Sequence, residues 1–205
     1  MSTSETIRSM LAAGRNRLNI GRAGEVAALV LAQSNRQQSR KAAQLVECLW
    51  EEDPGIVNRA SDALEKISRT LPTLLEPWKG PLLGLLVEAE HNKLRWNLAV
   101  IVPRLKLSAP ECRRVAEILQ SYLDDPSSIV KTCALQGLAE LTRRDPSLGP
   151  EVLDVLRIYS LCGTPAMRAR GRHLLRQLEA PGEMLGHPQS GRSQYRNEPG
   201  RFVLQ

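Results

Sequence analysis

VKTCALQGLAEL, residues 130–141, sets its apolar and small residues at helical spacing. With Val130 counted as offset zero, Ala134, Leu138 and Leu141 fall at +4, +8 and +11. At about 100° per residue these offsets lie on one stripe of an α-helix. The same stripe recurs along the chain. IVNRASDALEKI, LRWNLAVIVPRL and MRARGRHLLRQL begin at Ile56, Leu94 and Met167, so successive starts lie 36 to 38 residues apart. Their +4, +8 and +11 positions are again apolar or small: Ala60, Leu64 and Ile67; Leu98, Val102 and Leu105; Gly171, Leu175 and Leu178. Self-similarity at such a period is the signature of an architecture built from stacked supersecondary units.

Turn signals separate the copies. Asp53-Pro54, Asp125-Pro126 and Thr164-Pro165 each offer an oxygen-bearing N-cap and a proline for the first helical position, where a missing N–H costs nothing. Another helix precedes each copy, over about 37–51, 72–89, 109–123 and 147–161. Ser108 and Glu111 have capping-box spacing, and Asp145-Pro146 repeats the cap-and-proline device. The repeating unit is a helical hairpin, present four times over about 37–69, 72–105, 109–143 and 147–179. Gly137 and Gly171 inside second helices predict close packing against a neighbour. Pro103 predicts a kink or an early helix end, because it cannot donate to the carbonyl of Ala99.

A two-helix unit of this length, with a proline in the first helix as in Pro81-Leu82-Leu83-Gly84-Leu85-Leu86 and an Asp-Pro turn before the second, resembles a HEAT repeat. The basic residue that follows the first apolar position of the second helix is present as Arg95, Lys131 and Arg168, while Val57 stands there in the first copy. The resemblance covers about residues 37–179 and rests on four copies in register. It implies a curved α-solenoid whose second helices line the concave side, serving as a scaffold for macromolecular binding.

The remainder of the chain fits an all-α protein of one domain. Residues 20–34, IGRAGEVAALVLAQS, predict one more apolar helix to cover the first hairpin, as the end of a stack requires. Residues 1–19 read as an arm, either a short helix or a loose segment. From Ala180 the periodicity stops and Gly and Pro accumulate, so 180–205 reads as a disordered tail. Its Phe202-Val203-Leu204 is either unstructured or a docking peptide. Aromatics are few, and Leu and Ala outweigh β-branched runs, which favours helix over sheet. Cys48, Cys112, Cys133 and Cys162 form no CxxC pair and read as reduced core residues. The N-terminus has no signal-peptide core and no run is long enough to span a bilayer, so the expected location is cytoplasmic.

A net charge of +6 permits an acidic partner or nucleic acid, although 22 of the 28 basic residues are Arg, a skew that genome composition also explains. No phosphate-binding, dinucleotide, zinc-protease or nucleophile-elbow motif occurs, and His91, His173 and His187 do not converge; no cofactor or metal is implied. The unusual residue is Trp96. Its +2 offset lies about 200° around the helix from Leu94, nearly opposite the buried stripe. Offsets +2, +5, +6 and +9 across the copies run from acidic (Asp62, Glu65) through apolar (Trp96, Ala99, Val100, Pro103) to basic (Arg172, Arg176). The expected partner surface is Trp96, Val100, Pro103, Arg172 and Arg176, on a noncatalytic scaffold or adaptor that binds a protein or peptide. The alternative is a DNA-binding protein resembling the alkylpurine DNA glycosylases, which share HEAT-like repeats and use aromatic residues beside a carboxylate. Trp96 and Asp62 would take those parts.

Overall fold

The computed structural model describes residues 6–12 and 22–180. Within them the chain is all-α, with ten α-helices joined by short turns and 3-10 segments and no strand. After α1 (Ile7–Ala12) and α2 (Ala23–Leu31) come four hairpins: α3 (Asn35–Glu47) with α4 (Pro54–Thr70), α5 (Lys79–Glu88) with α6 (Asn92–Ile101), α7 (Ala109–Ser121) with α8 (Ser128–Leu141), and α9 (Gly149–Cys162) with α10 (Pro165–Glu179).

The second helices form a row in which α2 packs on α4, α4 on α6, α6 on α8 and α8 on α10. The repeated stripe explains why. Ala60, Leu64, Ile67, Leu98, Val102, Leu105, Ala134, Leu138 and Leu141 are fully buried and belong to one continuous apolar core that runs from Ile7 to Leu174. In the last hairpin, where no further unit follows among the described residues, Leu175 and Leu178 are only partly buried. The two glycines sit at close helix approaches, Gly137 within the row against α6 and Gly171 within the last hairpin against α9. A Cβ on Gly137 would overlap the Ala99 carbonyl oxygen of α6 and stand 2.8 Å from Leu119 Cδ1, and one on Gly171 would stand 3.2 Å from Ser160 Cβ.

Caps set the helix starts. Asp53 accepts from the Gly55 N–H, Thr164 from the Met167 N–H, and Ser108 with Glu111 forms the full capping box. At α8 the expected cap is displaced: Ser127 holds that position by accepting from the Val130 N–H. Asp125 has another task. Its buried carboxylate pairs with Arg95 of the preceding hairpin, whose guanidinium lies 4.3 Å from the Tyr122 ring centroid, and Asp125 Oδ1 accepts the Ser127 N–H at 2.7 Å. The Tyr122 hydroxyl donates to the Leu86 carbonyl at 2.5 Å. One buried cluster thus joins the second hairpin to the third.

One expectation changes here. Residues 1–19 are not wholly an arm, because Ile7, Met10 and Leu11 of α1 are buried against α3 and α4, and buried Arg59 donates to the Leu11 carbonyl. The packed unit therefore begins ahead of residue 20. Pro103 does end α6, at Ile101, with a 3-10 turn over Val102–Arg104. The tail from 181, including Phe202-Val203-Leu204, lies outside the described residues.

Candidate binding groove

Each interior helix of the row, α4, α6 and α8, touches three neighbours: its hairpin partner, the helix of the row before it and the one after. Only a narrow arc stays open. At about 100° per residue, +5 and +9 lie near 140° and 180°, on the side facing the next helix of the row. Ser61, Ala99 and Leu135 at +5 are accordingly buried, as are Glu65, Pro103 and Ala139 at +9. Pro103 is therefore a buried seam residue and not part of a partner surface. The open arc comprises +2 and +6, near 200° and 240°, with parts of the adjoining columns.

Trp96 and Val100 occupy that arc at the centre of the row, both partly buried. They line a groove of about 480 Å³ that runs across the second helices. Asp62, Glu65 and Arg69 bound it on α4; Ile129, Thr132, Cys133 and Gln136 continue it on α8; Arg170 closes it on α10. Ile129 is 52 % exposed, the largest apolar opening on this face. Trp96, Val100 and Ile129 thus make an apolar patch between the charged side chains of α4 and Arg170 of α10.

The charges in the groove are largely spent on each other. Glu65 Oε1 takes Arg69 Nε at 2.6 Å and Arg104 Nη1 at 3.0 Å, and Arg104 also donates to Ser68 Oγ at 2.7 Å. Asp62 pairs with Lys66 at 2.7 Å. On the floor, Asn97 Nδ2 donates to Ser61 Oγ at 2.9 Å, a polar tie between α6 and α4. Arg170 differs. Among the described residues its guanidinium has no carboxylate and donates only to the neutral Gln136 Oε1, at 3.2 Å. Burial pushes the Cys133 thiol up to about 11, against an opposing field from Arg170. Lys93, on the same side of α6, is shifted down by burial while Asp62 acts against that shift.

Arg172 and Arg176 are exposed but do not join this groove. Arg172 Nη1 stands 3.5 Å from the Ser160 carbonyl, and Arg176 Nε donates to the Arg172 carbonyl at 3.3 Å. They occupy +5 and +9 of the last helix, the column that elsewhere meets a following helix. Here nothing follows among the described residues, so charge covers the end of the row. Trp96 and Val100 are brought together; Arg172 and Arg176 lie apart from them. Among the groove residues that sequence reasoning did not place there are Arg104, Ile129, Cys133 and Arg170. Their offsets of +10, −1 and +3 could have been found by asking which columns border the open arc.

The cysteines split by the same geometry. All four are free, but only Cys48 and Cys112 are buried; Cys133 faces the groove and Cys162 is exposed. His91 and His173 are exposed at separate places, and His187 lies outside the described residues. Among the described residues no helix is long and apolar enough to cross a membrane, and no three His, Cys, Asp or Glu side chains gather as metal ligands would.

No family model and no curated protein matches the chain. Solved structures resemble it in fold. One is the crystal structure of an engineered protein, superposing with a TM-score of 0.51 at 15% identity over 76% of this chain and 79% of that one. At that identity the likeness concerns the fold alone.

Proposed function

We propose that the protein is a noncatalytic helical-repeat scaffold that binds a protein or peptide in the groove of its second helices. The HEAT-like reading of the repeats belongs to this proposal, as does a cytoplasmic location in which the four free thiols stay reduced. One observation carries it: Trp96, Val100 and Ile129 form an apolar patch at the centre of a groove whose surroundings are polar. A partly buried tryptophan flanked by smaller apolar side chains is the arrangement typical of residues that dominate binding energy at interfaces.

The test compares wild type with Ile129→Glu and Trp96→Ala in affinity capture from the source cell's extract, each variant's thermal midpoint being recorded. Both variants should lose captured proteins at least tenfold. Undiminished capture by both refutes the reading.

A second reading is favoured by one specific observation: Asp62 lines the same groove as Trp96. That juxtaposition suits a protein that handles a DNA base, with an aromatic residue to stack and a carboxylate beside it. Against it, Asp62 is already paired with Lys66, and Arg69 and Arg104 are both engaged with the one carboxylate of Glu65. Duplex binding that weakens with a log-log salt slope of several units would favour this second reading.

A further inference from the structure

Resting on the peptide-binding reading, we infer that the groove selects an extended peptide segment with an apolar side chain and, about three residues away, a carboxylate. The apolar side chain seats on Trp96, Val100 and Ile129; the carboxylate meets Arg170.

Charge decides the chemistry. Of the groove's arginines, Arg69 and Arg104 converge on the single carboxylate of Glu65, and Arg104 is further held by Ser68. A ligand that recruited either would have to break an existing ion pair. Arg170 requires no such exchange, because its partner is a neutral amide that gives way to a carboxylate at a gain: a charge-assisted hydrogen bond is roughly twice as strong as a neutral one. A phosphate backbone lying along the groove would gain Arg170 but would also run past Asp62 and have to draw Arg69 and Arg104 from Glu65. One local anion beside an apolar group fits this surface; a line of anions does not.

Spacing follows from the packing. The Arg170 guanidinium reaches back to Gln136 on α8, while Trp96 stands on α6, the neighbouring helix of the row. Packed helices lie about 8–10 Å apart. An extended chain advances about 3.3 Å per residue, so crossing from one helix to the next takes about three residues. The ligand lies across the helices, with its acidic residue toward α10. On the opposite side of the apolar residue the Asp62 carboxylate on α4 disfavours a second carboxylate beside it.

The experiment uses the full chain and two fluorescein-labelled pools of ten-residue peptides, each with a fixed central Leu or Phe and the other positions drawn from Ser, Ala, Thr and Gln. One pool carries Glu three residues to either side of the apolar residue in separate members; the other carries Lys there. Fluorescence polarisation at low ionic strength should show the Glu pool binding at least tenfold tighter. Arg170→Gln should remove the preference, Arg170→Glu should reverse it, and Trp96→Ala should weaken both pools together. Thermal midpoints of the variants confirm that they fold. Equal binding of the two pools, still abolished by Trp96→Ala, overturns the charge selection and leaves the groove as a peptide site. Binding of neither pool overturns both. Tighter binding of a duplex oligonucleotide than of either pool also overturns the inference and points to the second reading.

Discussion

Replacing Gly137 with alanine puts the packing of the row on trial, because two opposing effects of known size meet at one atom. In an exposed helix the change is favourable by about 1 kcal/mol, since glycine is the poorer helix former. On α8 the new Cβ would overlap the Ala99 carbonyl oxygen and stand 2.8 Å from Leu119 Cδ1. Ordinary contact distances require α8 to retreat from α6 by roughly 1 Å. Leu119 has rotamers to yield with, but the obstacle at Ala99 is backbone. Overpacking of this kind costs about 1–3 kcal/mol, and a rigid obstacle places it at the upper end. The net expectation is a loss of about 1–2 kcal/mol, or about 2–8 °C in thermal midpoint for a domain of this size. Gly84→Ala on α5 is the internal control: nothing stands within 4 Å of its Cβ, so it should gain about 0.4–1 kcal/mol. Urea unfolding followed by circular dichroism measures both. If Gly137→Ala is as stable as Gly84→Ala, α6 and α8 are not in the contact described, and the row is wrong there.

Asp125→Ala should cost about 3 kcal/mol in the same assay, because it leaves Arg95 without its buried partner. Glu111, whose carboxyl is held down to about 2 by the Ser108 N–H, Lys79 and the Ser108 hydroxyl, gives the capping box a pH signature. A carboxyl depressed on folding contributes stability that is present above its unfolded value of about 4.3 and is lost as pH falls through the folded value. Glu111→Ala should therefore cost about 1 kcal/mol at pH 7 and progressively less between about pH 4.3 and 2, as parallel pH-dependent melts will show. Ile129→Glu should leave stability within about 0.5 kcal/mol, since the side chain is half exposed and a negative charge suits the second residue of α8.

The hairpins were legible because their signal lies within one helix. Ala134, Leu138 and Leu141 share a stripe whatever surrounds them, and the caps at Asp53, Ser108 and Thr164 act within three residues. The site was less legible, since an angle measured on one helix says what faces away from its own hairpin and nothing of its neighbours in the row. Pro103 is nearly opposite the buried stripe, yet α8 follows α6 and buries it. Arg172 holds the same column in α10 and is exposed because nothing follows among the described residues. Trp96 survived the same inference because +2 falls between the two seams. Asp125 shows the limit of local rules in another way: an ideal cap residue is recruited by Arg95 from the preceding hairpin, and Ser127 caps the helix instead.

The central claim, that the groove and not the outer surface meets the partner, is tested most directly by photocrosslinking in the source cell. Benzoylphenylalanine is placed at position 129 in the groove, or at position 161 on α9, where Leu161 is 79 % exposed beside Ile158 at 56 % and makes the rival apolar surface. The account predicts discrete protein adducts from position 129 that disappear when Trp96→Ala is added, and none from position 161. Adducts from position 161 alone, or adducts from 129 that persist without Trp96, would contradict it.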